Sequence, residues 1–223
     1  MTCHDHGDGK DKGPKCASTD HDHGVKVPRR NSLTATSTGQ GKVVVNRAMS
    51  LDGFIAGPGD AMDWIFDFMP PNAPWVTEAA AATGAMVVGR RTDDVGNRMA
   101  AKKERGQASS DDGYPFSGPT FVLTHRPPET VDPAVTYLAG DVEEVVDRAL
   151  EAAGGKNVEI LGADVAGQCL RRGLIDEILV YVLPVLLGDG TRFSAPGLAR
   201  IDLEPVSTMH SGGVTILRFR VRK

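Results

Sequence analysis

Three short stretches of this 223-residue chain carry phosphate-competent groups directly behind apolar runs: VVGRRTDD at 87–94, VLTHRPP at 122–128 and ILGADV at 160–165. Arg90, Arg91 and Arg126 bring guanidinium groups, Thr92 and Thr124 bring hydroxyls, and Gly89 and Gly162 lie where backbone N–H groups are free to point outward. A strand that ends in a glycine and opens a helix, as at Gly162, aims N–H groups and a helix dipole at whatever lies in front of it. One such turn is a weak signal, because most strand-to-helix turns bind nothing; three on one sheet edge outweigh it. No G-x-G-x-x-G and no Walker motif occurs, so the ordinary nucleotide fingerprints are absent. A second chemistry sits near the N-terminus, where CHDH and HDHG hold four of the six histidines, with Cys3 and Cys16 nearby. Imidazole and thiolate together suit zinc, nickel or copper. Their H-x-H spacing matches no structural zinc module, and no metal ligand set is assigned.

The elements that must position these groups follow from apolar periodicity. Residues 43–49 (VVVNRAM) read as a strand, SLDG as a turn and 54–56 (FIA) as a short continuation. Pro74 opens a helix through WVTEAAAAT with Gly84 as its stop, and 85–89 (AMVVG) is a buried strand that leads into a short helix at GRRTDD. A polar surface loop, GQASSDDGYPFSG, precedes the strand 120–124. Asp141 and Glu144 resemble a capping box, ahead of apolar residues from Val142 to Ala153 at helical spacing. A strand VEIL, a short helix from Asp164, a strand over 177–185 and two late strands joined by Ser211-Gly212-Gly213 complete the pattern. Strands alternating with helices imply an α/β fold with a mostly parallel central sheet, closed by a C-terminal antiparallel hairpin. Ligands in such sheets bind beyond the carboxyl ends of the strands, where the three opening stretches lie.

Residues 1–40 hold almost no large apolar side chains and cannot offset the entropy of ordering, so they read as a disordered tail or an upstream extension, leaving 41–223 as one domain. A net charge of -4 and a pI near 5.9, with scattered cations, give no general attraction to nucleic acid or anionic lipid. No apolar run approaches the roughly 18 residues of a membrane span, and no signal-peptide core is present. Three cysteines make no disulfide framework. These features point to a cytoplasmic protein with a small-molecule partner.

In order and spacing, MSLDGFIAGPGDAMDW, VVGRRTDD, FVLTHRPP, ILGADV and GLIDEILVYVLPVLLGDGTRF resemble the dihydrofolate reductase-like family. More narrowly, they are similar to the reductase domain at the C-terminus of bacterial bifunctional riboflavin-biosynthesis deaminase-reductases and its stand-alone relatives. The resemblance covers nearly all of 42–223; the deaminase half, with its H-x-E and P-C-x-x-C, has no counterpart here. It implies a three-layer fold, a homodimer and NADPH as hydride donor. It also implies that Gly89, Arg90, Arg91, Thr92, Thr124, His125 and Arg126 hold the adenine-side phosphates. Ala48 and Ile55 would meet the nicotinamide carboxamide through their backbones, and Leu161, Gly162, Ala163 and Val165 would form the pyrophosphate turn. Relatives usually carry two adjacent glycines at that turn, where this chain has Leu161-Gly162; Asp164, read as an N-cap, adds a charge that repels pyrophosphate.

Hydride transfer also needs a proton for the atom that gains charge. Asp52 is one donor candidate, although Asp-Gly is equally a turn pair; Asp63 flanks Trp64, an aromatic that matches the riboflavin-pathway relatives, on the segment expected to roof the site. Tyr181 lies on the strand beneath it. Glu78 follows Pro74-Trp75 too close to Gly89 to align with the folate-reducing acid. The resulting expectation is an NADPH-dependent reductase of a small heterocyclic or carbonyl substrate, riboflavin-pathway or pterin-like. The rival reading is a non-catalytic homologue that has lost cofactor binding, with the tail as a possible metal store.

Overall fold

The computed structural model describes residues 41–70, 72–107, 114–129 and 132–223; the tail at 1–40 and its histidines lie outside them. Eight strands form the main sheet: β1 (Val43–Ser50), β3 (Thr83–Gly89), β4 (Thr120–Leu123), β5 (Val135–Leu138), β6 (Asn157–Leu161), β7 (Glu177–Leu183), β9 (Leu203–Ser211) and β10 (Val214–Val221). Their order is β5-β4-β3-β6-β1-β7-β10-β9. From β5 to β7 every pairing is parallel, while β10 runs antiparallel to both β7 and β9. A separate ribbon pairs β2 (Phe54–Ala56) with β8 (Thr191–Arg192). No helix among the described residues is long and apolar enough to cross a membrane.

Strand alternation divides the core between the two faces. On one side Val43, Val45, Ala85, Val87, Val158, Ile160, Ile178 and Val180 pack against α3 (Val142–Ala152) and α4 (Ala163–Arg171). Val142, Val145, Val146 and Ala149 form the buried stripe of α3, each valine worth about 1.5–3 kcal/mol when fully buried. On the other side Leu179, Tyr181, Leu183 and Ile216 are covered by α1 (Pro74–Ala82), through Trp75 and Ala79, and by Trp64, Ile65, Phe68 and Met69. The result is three layers around a mainly parallel sheet with a C-terminal antiparallel hairpin.

Several local expectations change. The helix after Gly89, α2 (Arg90–Glu104), has fifteen residues rather than a short turn; none of them is buried, so an apolar stripe could not announce it. β5 was not anticipated. Asp141 caps α3 by accepting from the Glu143 N–H, not through a box with Glu144. α4 starts at Ala163 with Gly162 as its N-cap, which puts Asp164 inside the first turn. Gly84 does not stop α1; it is the second residue of β3, where an added Cβ would lie 2.4 Å from Ala153 O and 2.8 Å from Ala153 Cα. That backbone caps α3 and has no flexible end to give way. Gly84→Ala is therefore expected to destabilise the fold by about 1–3 kcal/mol, read as a lower urea midpoint at unchanged slope.

Because β1, β3, β4 and β6 are parallel, Ser50, Gly89, Leu123 and Leu161 all emerge on one edge of the sheet. The functional groups collect there.

Candidate functional site

A cleft of about 990 Å³ opens along this edge. Two helix N-termini face it: α2 behind Gly89 and α4 behind Gly162, neither capped by a side chain. Unpaired N–H groups and the positive ends of two helix dipoles thus share one concavity. Gly162 sits at φ 88, and a Cβ there would come within 2.6 Å of Thr92 Oγ1. The two turns are therefore in close contact, and only glycine satisfies both the backbone angle and the space. Every described peptide bond is trans, that of Leu161-Gly162 included. The Leu161 side chain packs against the cluster of Met86, Val88 and Val122 while also lining the cleft.

Arg47 holds this turn from below. Its Nη2 donates to Gly162 O at 2.7 Å and its Nη1 to Phe193 O at 3.1 Å, with the guanidinium over the Phe193 ring at 5.6 Å. Burial pushes its pKa down to about 10, which still leaves the side chain charged at neutral pH. Its Nε is buried without a hydrogen-bond partner among the described residues.

On the outer rim, Arg90 donates from Nε to Asp94 at 2.9 Å and from Nη1 to Arg126 O at 3.0 Å, tying α2 to the loop after β4. Thr124 Oγ1 accepts from the Arg126 N–H at 3.0 Å. Arg91 is ion-paired with Asp60 at 2.6 Å. Asp164, exposed, turns along its helix and accepts from Gln168 Nε2 at 2.8 Å.

The floor is polar. Glu159, only 3% exposed, projects from the middle of β6 on the face opposite Val158 and Ile160. Its Oε2 accepts from Tyr114 Oη at 2.8 Å and lies 3.1 Å from Thr83 Oγ1; Tyr114 Oη accepts from Asn46 Nδ2 at 3.3 Å. Burial raises the carboxyl to about 7, against the lowering effect of its hydrogen bonds and of nearby Arg47. The Tyr181 hydroxyl lies on the same floor, buried and without a hydrogen-bond partner among the described residues. The wall opposite is apolar, formed by Met62, Ile65, Phe66, Met69 and Val76. A hydrophobic enclosure over a few convergent polar groups fits a small, partly polar ligand.

The structure brings most of the anticipated residues together. Gly89, Arg90, Arg91 and Thr92 line the cleft from the β3–α2 turn, Thr124 and His125 from the end of β4, and Leu161, Gly162, Ala163 and Val165 from the β6–α4 turn; Ala48 and Ile55 also line it. Arg126 joins the rim through its carbonyl and lies outside the lining.

The three expected catalytic residues, Asp52, Asp63 and Trp64, are not among those that line the cleft. The Asp52 carboxylate accepts from Ser50 Oγ at 2.6 Å, Leu187 N at 3.1 Å and Gly188 N at 2.7 Å, with the Ser50 hydroxyl first among the bonds that hold its pKa below the ordinary carboxylate range. It ties two loops together and is a poor proton donor. Asp63, with its side chain 73% exposed, pairs with Lys102 at 3.5 Å. Trp64 donates to Ala61 O at 3.2 Å and packs on the Leu179–Tyr181–Leu183 cluster. The groups that do occupy the floor, Asn46, Arg47, Tyr114 and Glu159, were not singled out. A glutamate between Val158 and Ile160, and Asn-Arg inside VVVNRAM, were the available signals.

Solved structures share this arrangement of chain. A Shewanella sp. PV-4 protein assigned to riboflavin biosynthesis superposes with a TM-score of 0.67 over 82% of this chain and 99% of its own, at 23% identity. Dihydrofolate reductase from Enterococcus faecalis, solved with NADP(H), superposes with a TM-score of 0.50 over 82% of this chain and 98% of its own, at 18% identity. In sequence, the uncharacterized protein YyaP of Bacillus subtilis (strain 168) is 25% identical over 181 residues, 80% of this chain and 94% of that protein. Residues 41–217 match the family model described as the RibD C-terminal domain, a span that contains the whole cleft, and the chain belongs to that family.

Proposed function

We propose that the chain is an NADPH-dependent reductase that passes hydride to a small heterocyclic or carbonyl substrate of the riboflavin-pathway or pterin type. The observation that carries the reading is the pair of uncapped helix N-termini, α2 and α4, opening on one cleft whose far end is an apolar chamber with a polar floor. The backbone N–H groups after Gly89 and Gly162 suit the pyrophosphate, and Arg90, Thr124 and Arg126 suit a 2′-phosphate at the rim. Arg47 fixes the Gly162 carbonyl and with it the orientation of the turn. Ala48 and Ile55 lie beside the floor, where a nicotinamide ring would meet substrate. When bound, the nicotinamide supplies a hydride; the chain supplies position, exclusion of water and a proton. The likeness to a reductase solved with NADP(H), and membership of the RibD C-terminal domain family, support this reading.

Leu161 in place of a second glycine and Asp164 in the first turn of α4 favour the rival reading, a homologue without cofactor affinity. Calorimetric titration with NADPH and then NADH separates the two. The expected result is micromolar binding of NADPH in preference to NADH. Arg90→Ala and Arg126→Ala should each weaken NADPH about tenfold, the scale of one charge-assisted hydrogen bond, with little effect on NADH. Absence of binding to either nucleotide establishes the rival.

A further inference from the structure

The hydroxyl and carboxyl groups of the cleft floor have more contacts than protons if Glu159 is ionised. Thr83 Oγ1 lies 2.9 Å from Ala79 O and 3.1 Å from Glu159 Oε2. Tyr114 Oη lies 2.8 Å from the same Oε2. The Ala79 carbonyl can only accept, and an ionised carboxylate can only accept. Thr83 and Tyr114 own one proton each, so three oxygen–oxygen contacts would share two. A proton on Oε2 supplies the third: Glu159 donates to Thr83, Thr83 to Ala79 O, and Tyr114 to Glu159. Asn46 Nδ2 donates to Tyr114 Oη from the other side at 3.3 Å.

We propose that Glu159 stores the proton that accompanies reduction and that the Tyr114 hydroxyl delivers it to the substrate. The inference rests on the reductase reading and adds to it an acid on the cleft floor. The step balances as follows. The carbon of a C=N or C=O group gains a hydride from a reduced nicotinamide, which is oxidised, and the π electron pair moves to the heteroatom. For the transfer the Tyr114 O–H turns from Glu159 to that heteroatom and the Glu159 O–H turns from Thr83 to Tyr114; the heteroatom then takes the Tyr114 proton while Tyr114 takes the proton of Glu159. Glu159 is left as a carboxylate, and Thr83 can turn its hydroxyl from Ala79 O to it, so both remaining donors then serve the charge. A proton from water restores the acid.

The surroundings fit both states. The titratable groups around Glu159 are Tyr114 from the loop before β4 and Tyr181 from β7, with the Arg47 guanidinium of β1 acting on its charge without a direct contact; Thr83 from β3 and Asn46 from β1 are its neutral polar neighbours. Arg47 is close enough to favour the carboxylate once formed, yet its two terminal nitrogens are committed to Gly162 O and Phe193 O. The Tyr181 hydroxyl, buried beside the same floor, has no hydrogen-bond partner among the described residues.

Carbon-13 NMR of the full chain with labelled glutamate carboxyls reads the store directly, with the Glu159 signal assigned by its loss in Glu159→Gln. The expected result is one glutamate titrating near the value of about 7, displaced in Tyr114→Phe, with all others titrating as ordinary acids. Delivery is read by NADPH oxidation with two cyclic-imine probes, 3,4-dihydroisoquinoline and 7,8-dihydropterin. The wild-type rate should fall about tenfold per pH unit above that midpoint, whereas Glu159→Gln and Tyr114→Phe should give low, pH-independent rates at near-normal KM. Glu159 ionised already at about pH 5, or a Glu159→Gln pH profile like the wild type's, overturns the inference. A Glu159 that titrates as expected while neither probe is reduced by NADPH-bound protein overturns delivery. If NADPH does not bind at all, the reductase reading fails first, so the two failures are distinguishable. Should Glu159→Gln fold poorly, Tyr114→Phe carries both readouts alone.

Discussion

Arg47→Ala is expected to lower the free energy of unfolding by about 3–5 kcal/mol and, on the proposed reductase reading, to weaken nucleotide binding with it. Arg47 is 6% exposed on the central strand β1, where it pairs with Val180 of β7. Its guanidinium serves Gly162 O at 2.7 Å and Phe193 O at 3.1 Å, and so joins two segments far apart in sequence. A charged donor to a carbonyl contributes about 1.5–3 kcal/mol, and alanine would remove two of them and leave both carbonyls without that partner. It would also open a void next to Cys169 and Phe193, where relaxation is limited by the packing of α4 on the sheet. Two controls separate the causes. Arg47→Met keeps volume and loses the donors; Arg47→Lys keeps charge but cannot reach two divergent carbonyls at once, so it should recover less than half of the loss. Urea unfolding at pH 7 measures all three. A loss below about 1 kcal/mol for alanine would mean that the Gly162 turn holds itself without Arg47.

The strand-end turns that line the cleft were legible because their signals are local. A glycine or arginine directly behind an apolar run reports on a strand end without knowledge of anything distant, and parallel strand order then brings Gly89, Leu123 and Leu161 to one edge. The floor was not legible for the opposite reason. Asn46, Tyr114 and Glu159 come from β1, a loop and β6, and they meet only because β6 inserts between β3 and β1. Tyr114 belongs to a stretch that reads as polar surface loop, yet its hydroxyl reaches Glu159. Alternation alone would have set Glu159 apart, since Val158 and Ile160 commit the other face of β6 to the core, but a single polar residue in NVEIL reads equally as a solvated edge position. At Asp52 the sequence offers both an acid and an Asp-Gly turn, and the Ser50, Leu187 and Gly188 donors engage its carboxylate in the way the turn reading expects. The start of helix α2 was legible at GRRTDD but its length was not, because none of its fifteen residues is buried and no apolar stripe marks its course. β5 escaped because four half-exposed residues between turns carry too little pattern.

Stability should fall by roughly 3 kcal/mol between about pH 4.5 and about pH 7 through Glu159 alone. The unfolded chain releases this proton at the ordinary value of 4.5, while the folded chain holds it to about 7 because burial penalises the carboxylate. Within that window the native state binds more protons than the unfolded one, so the unfolding free energy declines as pH rises. Below the window both states are protonated and above it both are ionised, so the Glu159 contribution is flat on either side. Asp52 acts with the opposite sign in a different range: its pKa is lowered from 3.8, first by the Ser50 hydroxyl, so its contribution is lost only as the pH falls below that value. The difference in unfolding free energy between Glu159→Gln and wild type isolates the glutamate, because every other group cancels to first order. That difference should move in favour of the glutamine variant by roughly 3 kcal/mol across the window and then stop changing. A difference that stays level from about pH 5 to about pH 8 would mean that Glu159 is ionised throughout, in which case the Thr83 hydroxyl must abandon Ala79 O and the floor holds no acid. Fold stability and the pH dependence of reduction are thus two readings of the same proton, and they must agree on its midpoint.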